Sequence, residues 1–159
     1  MQGEEDFASF YAAHHAGIWA YLARLGASSA VASDLAQETF VRWLERDASE
    51  FRGSARAYLY RIALHQFIDH VRRSRREIAW DDEMAVTAPA SDAPDEVIPR
   101  SVWARLTMRQ RQLLWLAYAE GFSHDEIAAM TRLAPDSIRV LLSRARARCQ
   151  ALMEEHGDA

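Results

Sequence analysis

The chain has 159 residues, half of them hydrophobic, and a formal net charge of -4. That allows one ordinary domain or two small ones with a packed core, and it excludes wholesale disorder. No apolar run approaches the roughly 18 residues of a membrane span, and the acidic start "MQGEEDFASF" lacks the basic-then-apolar order of a secretory signal. The cytoplasm is the expected location.

Helical periodicity runs through the N-terminal half. Phe7, Phe10, Tyr11, His14, Ile18, Leu22 and Leu25 share one face of a first helix, and Gly26 is its stop. A second helix over about 31–46 turns Val31, Leu35, Phe40 and Leu44 inward. After the polar stretch "RDASEFRGS", Ser54 caps a third helix to about Arg76, apolar through Leu59, Ile62, Ala63, Phe67 and Val71. Its opposite stripe is Arg61, His65, Asp69, Arg72 and Arg76. Tyr58 and Tyr60 stand about 200° apart on such a helix, so one of the two belongs to the core. No strand alternation competes, and the expected fold class is all-α.

The segment "EIAWDDEMAVTAPASDAPDEVIP", Glu77 to Pro99, has seven acids, no base and three of the four prolines. It reads as an extended, self-repelling linker. Basic blocks flank it: seven arginines against Asp69 from Phe51 to Arg76, and nine against four acids from Arg100 to Leu152. Local field rather than net charge decides where a polyanion settles, so nucleic acid stays a candidate partner.

The C-terminal half is punctuated more sharply. "TMRQ" from Thr107 and "SHDE" from Ser123 both fit the capping box, each N-cap worth ~1 kcal/mol. The first helix ends at Gly121, the next runs from Asp125 to about Met130, and Pro135 opens the last. A short helix, a tight turn and a longer basic helix make a helix-turn-helix. On the last helix Ile138, Leu141, Leu142 and Ala145 face inward, while Asp136, Ser137, Arg139, Val140, Ser143 and Arg144 occupy the rest. Such residues suit a major groove, where Arg takes guanine O6 and N7 together and Val140 meets a thymine methyl. Arg146 and Arg148 lie farther along, within reach of phosphates.

No catalytic constellation, phosphate-cradling glycine loop or zinc-type His/Cys pair is present in the sequence, so neither an enzyme, a metal nor a cofactor is expected. The one cysteine, Cys149, reads as a small buried thiol.

In order, "DLAQETFVRWL", "FRGSARAYLYRIALHQFIDHVRRSRR", the acidic strap and "LTMRQRQLLWLAYAEGFSHDEIAAMTRLAPDSIRVLLSRARAR" resemble the extracytoplasmic-function sigma factors of bacterial RNA polymerase. The resemblance covers about Phe7 to Leu152, and "FYAAHHAGIWAYLARLG" is similar to the iron-uptake branch. It implies two small helical domains, a region 2 bundle over 1–76 and a region 4 helix-turn-helix domain over 100–159, joined by a flexible acidic linker over 77–99. It implies a chain that binds core RNA polymerase, recognises the −35 and −10 promoter elements and promotes melting. The implied partners are the β′ clamp and β flap of the polymerase, promoter DNA and an anti-sigma factor, with no small-molecule substrate.

Residue by residue, Asp34, Gln37 and Glu38, with Arg42, match the helix that grips the β′ clamp. Phe51, Arg52, Arg56, Tyr58, Arg61, His65, Arg72 and Arg73 match the −10 reader, where aromatic platforms and phosphate contacts offset the cost of unstacking bases. Asp136, Ser137, Arg139, Val140, Ser143 and Arg144 match the −35 reader. The chain departs from the family pattern at four places. His65 replaces a usual Asn, which opens the way to pH-sensitive binding. Arg132 sits in a turn that usually carries Gly, at a cost of ~1 kcal/mol if its φ is positive. Leu106-Thr107 replaces Leu-Pro, with Thr an equally good cap, and Leu141 replaces a basic residue, removing one phosphate contact. For the linker two readings stay open, an RNA mimic and a tether. Two other functions stay open as well, a stand-alone helix-turn-helix regulator and a sigma-mimicking module that binds an anti-sigma protein.

Overall fold

Residues 2–47, 53–74 and 98–158 are described by the structure, a computed structural model, with side chains from Asp6 to Gly157 within those spans. Apart from Ile98 and Pro99, the acidic strap lies outside the described residues, as do Phe51 and Arg52.

Helix α1 (Gln2–Leu25) stops where Gly26 takes φ 128°, a backbone conformation that a side chain would strain. Gly26 N–H bonds to the carbonyl of Ala23 and Ala27 N–H to that of Leu22, both at 3.1 Å, closing the helix end as a Schellman motif. Ser28 then caps α2 (Ser29–Glu45), its hydroxyl accepting from the N–H of Val31 at 3.3 Å. Aromatic side chains hold the pair together: Phe10 stacks on Trp43 at 4.6 Å, and Tyr11 meets Phe40 at 4.8 Å. The buried positions of α2, namely Ala32, Leu35, Ala36, Thr39, Phe40 and Trp43, recur at three and four. Leu44, expected inward, is 59% exposed. Trp43 takes the last inward place before the helix ends, and the next residue, about 100° further round, swings to the outer edge.

Ser54 caps α3 (Ala55–Ser74) as expected, accepting from the N–H of Ala57 at 3.0 Å. Of the two tyrosines, Tyr60 belongs to the core at 2% exposure, while Tyr58 is half-buried edge-on against Trp43. Gly17 of α1 makes room for it. A Cβ there would stand 2.6 Å from the Tyr60 hydroxyl, far inside any tolerated contact. Alanine normally stabilises a helix interior by up to ~1 kcal/mol over glycine. Here Gly17→Ala is expected to lower the thermal midpoint instead, because a buried phenol has little freedom to retreat. A midpoint that rises by calorimetry would refute the close approach.

Helix α4 (Arg100–Ala104) is a single turn that the periodicity did not foretell. Both capping boxes form. Thr107 opens α5 (Met108–Leu114) with Gln110 reciprocating, and Ser123 opens α6 (His124–Thr131) with Glu126. Helix α5 widens into a π-helical turn over Trp115–Ala119, so that Glu120 N–H reaches back to Trp115 and Phe122 N–H to Leu116, both at 3.0 Å. Gly121, at φ 71°, ends it. Arg132 adopts φ 62° and ψ 22°, the left-handed conformation the missing glycine implied, and Pro135 is the first residue of α7 (Pro135–Asp158). Cys149 is buried on α7. No strand occurs among the described residues.

The two halves share one buried apolar cluster, running from Ile18 and Leu22 of α1 through Phe67 of α3 to Leu113, Ile127 and Leu142. The C-terminal carbonyls of α1 are part of this seam. Such carbonyls lack intrahelical partners and carry the negative end of the helix dipole. Trp103 donates its indole N–H to Arg24 O at 2.8 Å, and Arg111 donates to Leu25 O at 3.1 Å.

Candidate nucleic-acid and polymerase interface

Helix α2 has two faces. Opposite its buried stripe stand Asp34, Gln37, Glu38 and Arg42, all exposed, with Glu38 and Arg42 paired at 3.2 Å one turn apart. An exposed pair of this kind contributes little to stability. Val41 and Leu44, 47% and 59% exposed, lie on the same outer face. Sequence reasoning passed over Val41 and placed Leu44 in the core. The signal was present, since apolar residues at i+7 and i+10 from Asp34 share a helix face with it.

The predicted −10 residues divide by position. Arg56, Tyr58, Arg61 and His65 are half-buried on α3, and Arg72 and Arg73 are exposed at its end. The Tyr58 hydroxyl donates to Asp47 O at 3.5 Å, and Arg73 Nε to Asp69 O at 3.4 Å. A cavity of about 370 Å³ separates His65, Asp69 and Arg72 from Met108, Arg109 and Arg132 of the C-terminal half.

His65 is held below the ordinary 6.5, first by burial, then by the Arg61 and Arg132 guanidiniums, against the opposing pull of Asp69. His14 of α1 is likewise lowered, by burial and then Arg56, against Glu120. Both rings are therefore mainly neutral at neutral pH in this packing. Each binds a proton more weakly here than when exposed, so their contribution is fully present above about pH 6.5 and is lost as pH falls below it. Thermal midpoints measured from about pH 7.5 down to about pH 5.5 are expected to fall, and His65→Gln with His14→Gln to flatten that fall. An unchanged slope in the double variant would remove the two histidines as its cause.

The six predicted −35 residues, Asp136, Ser137, Arg139, Val140, Ser143 and Arg144, are all exposed on the first three turns of α7. Ile138, Leu142 and Ala145 anchor the helix from its other side, and Leu141 is half-buried between the two faces. With α6, the left-handed Arg132 and Pro135, this is a helix-turn-helix with its second helix open along the reading face.

A helical protein is thereby defined, with a helix-turn-helix whose second helix is exposed along one side and a separate exposed charged face on α2. Residues 10–77 match sigma-70 region 2, and residues 101–149 match sigma-70 region 4. The RNA polymerase sigma factor YlaC of Bacillus subtilis (strain 168) is 32% identical, over 92% of this chain and 91% of its own. The Ferric citrate uptake sigma factor FecI of Escherichia coli (strain K12) is 26% identical, over 95% and 92%. Among solved structures, the sigma factor RpoE in complex with the anti-sigma factor NepR from Bartonella quintana is similar at a TM-score of 0.75 and 26% identity, over 94% of this chain and 98% of that one. The chain belongs to the extracytoplasmic-function sigma factors of the sigma-70 family.

Proposed function

We propose that the chain binds core RNA polymerase through the outer face of α2, sets the first turns of α7 against the −35 element, and takes the −10 element as single strand along α3. The observation that carries this reading is α7, where the six residues with base-reading chemistry are exposed together while the helix is anchored from behind. On α2 the support is Asp34, Gln37, Glu38 and Arg42, joined by Val41 and Leu44, a mixture of charge and apolar surface suited to another protein. On α3 it is a run of arginines beside Tyr58, the composition that tracks a single strand. Phe51 and Arg52 belong to the same reader by sequence.

The division into a region 2 unit over 1–76, a linker over 77–99 and a region 4 unit over 100–159 is part of the same reading. So are a cytoplasmic location and an anti-sigma partner, the latter supported by the NepR-bound relative. No described helix is long and apolar enough to cross a membrane. Placement in the iron-uptake branch has as its support the α1 stretch Phe10 to Gly26 and the likeness to FecI. Initiation from an iron-transport promoter above unrelated promoters is the expected result, and equal or weaker initiation removes that placement.

Run-off transcription with purified core polymerase tests the function itself. Promoter-dependent transcripts that vanish with Asp34→Arg/Glu38→Arg are expected. Tight duplex binding by the isolated chain without any transcript would favour a stand-alone regulator instead, and capture of an anti-sigma protein without either would favour a sigma mimic.

A further inference from the structure

The two halves meet closely at the start of α3 and part farther along it. Arg56 donates to the main-chain carbonyl of Glu120 and, at 3.3 Å, to Oε2 of the same residue, and it lies 4.0 Å over the ring of Phe122. Tyr60 packs edge-on against Phe122 at 5.3 Å. Beyond Tyr60 the packing opens into the cavity of about 370 Å³, a size within the range of about 300–1,000 Å³ that small-molecule sites take. Three elements supply its walls, and each brings one arginine. Helix α3 contributes Arg72, α5 contributes Arg109, and the left-handed turn after α6 contributes Arg132. Asp69 is the single acid among the lining residues, and His65 is kept mainly neutral by its burial and by the Arg61 and Arg132 guanidiniums. Three guanidiniums against one carboxylate leave two positive charges around one concavity. Low-dielectric walls concentrate such a field, and guanidiniums take phosphate oxygens in pairs. The floor has the opposite character. Leu64, Met108 and Met130 are at most 3% exposed, and half-buried Ile68 joins them. Gln112, 2% exposed, also lines the space, and its Oε1 is buried without a hydrogen-bond partner. A buried acceptor in that state costs stability that a ligand's N–H or O–H would return.

We propose that this cavity is a binding site for a small phosphomonoester with an apolar or aromatic body: Arg72, Arg109 and Arg132 hold the phosphate, and Leu64, Ile68, Met108 and Met130 receive the body. A phosphomonoester carries close to two negative charges at neutral pH, which matches the walls. A carboxylate or a phosphodiester carries one and leaves a guanidinium charge unmet. The apolar floor selects in the same direction, since a bare inorganic anion would leave it without a partner. The site goes beyond the promoter reading of α3 and does not rest on it, and its test involves neither DNA nor polymerase.

Methionines provide the probe. The full chain has five of them, and with carbon-13 at their methyls each reports its own surroundings. Met108 and Met130 line the cavity, and Met153 lies on α7 outside it. Titration with phenyl phosphate is expected to shift the Met108 and Met130 signals along one saturating curve, through the ring current of the phenyl group, and to leave Met153 in place. Inorganic phosphate, the head without the body, is expected to bind about tenfold more weakly, the scale of one buried ring. Arg132→Gly removes a guanidinium at a position whose φ of 62° suits glycine, so the fold is retained. It is expected to weaken phenyl phosphate about tenfold or more, the scale of one charge-assisted contact. Arg72→Gln, at an exposed position, is expected to do the same, and Arg105→Gln, an exposed arginine outside the cavity, to change nothing. No shift at Met108 and Met130 up to about 10 mM phenyl phosphate overturns the site. So does a shift that Met153 shares, an equal affinity for inorganic phosphate, or an affinity that Arg132→Gly and Arg72→Gln both leave unchanged.

Discussion

Replacing Arg111 with methionine is expected to lower the thermal midpoint by roughly 10 °C, the largest stability effect of any single arginine in the chain. Its side chain is fully buried and donates to three carbonyls: Leu106 at 3.1 Å, Leu25 at 3.1 Å and Ala104 at 3.4 Å. Burial pushes its pKa down to about 10, which still leaves it charged at neutral pH. Hydrogen bonds from a charged group contribute about 1.5–3 kcal/mol each, and a buried acceptor left without its donor costs about as much again. Methionine refills the volume but offers nothing to the carbonyls. Removing a buried charge also returns its desolvation cost, which offsets much of this and leaves an expected net loss of about 3 kcal/mol, against about 2–4 °C of midpoint per kcal/mol for a chain of this size. Arg111→Lys keeps the charge without the planar fork and is expected to fall between the two. Calorimetry that finds the methionine variant within a degree or two of the parent would show that the carbonyls are satisfied some other way.

For DNA, the largest expected effect belongs to Arg139→Ala. Arg139 is exposed in the second turn of α7, and the proposed function has its guanidinium meet a base edge. Losing one bidentate base contact costs about 1–3 kcal/mol of discrimination, or roughly a tenfold to hundredfold loss. The loss is expected at one base pair of the −35 element, read by holoenzyme binding to a set of single-base promoter variants. Arg148→Ala, two turns and more beyond, is expected to weaken all promoters alike and to make the affinity less dependent on salt. Neither change should move the thermal midpoint by more than about 1 °C, since both side chains face solvent. Uniform loss from Arg139→Ala across every promoter variant would move that residue from base reading to phosphate contact.

The legible parts of this protein were those written within a few residues of one another. Ser28 lay outside the sequence reading, yet Ser54, Thr107 and Ser123 were each recognisable as caps, because a hydroxyl and an N–H three residues on satisfy each other locally. Gly26, Gly121 and Pro135 marked ends and starts for equally local reasons. For Arg132 the absent glycine left a positive φ as a condition, and the structure shows the left-handed conformation. The exposed face of α7 was legible for the same reason, since one helix carries Asp136, Ser137, Arg139, Val140, Ser143 and Arg144 at consecutive turns.

Arginines were the main point of failure. Counted by sequence, Arg56 and Arg111 belonged to basic blocks awaiting a polyanion. In the folded chain Arg111 holds the end of α1 across 86 residues of sequence, and Arg56 holds Glu120 across 64. Nothing in the spacing of charges distinguishes an arginine that faces DNA from one that closes a seam. That depends on which carbonyls the packing leaves without partners, and those belong to elements remote in sequence. Leu44 failed for a related reason: a four-residue repeat says which residues share a face, but where that face ends is set by the neighbour it packs on, here the aromatic side chains of α1 meeting Trp43.

By itself the sequence determined the longer helices, the caps at Ser54, Thr107 and Ser123, and which side of α7 is exposed, since each is a bargain struck among residues about one turn apart. Only the tertiary structure decided that the two halves share a core, that a π-helical turn aims Glu120 and Phe122 at α3, and which arginines meet solvent. Those outcomes follow from groups that must satisfy one another after the chain has brought its distant segments together.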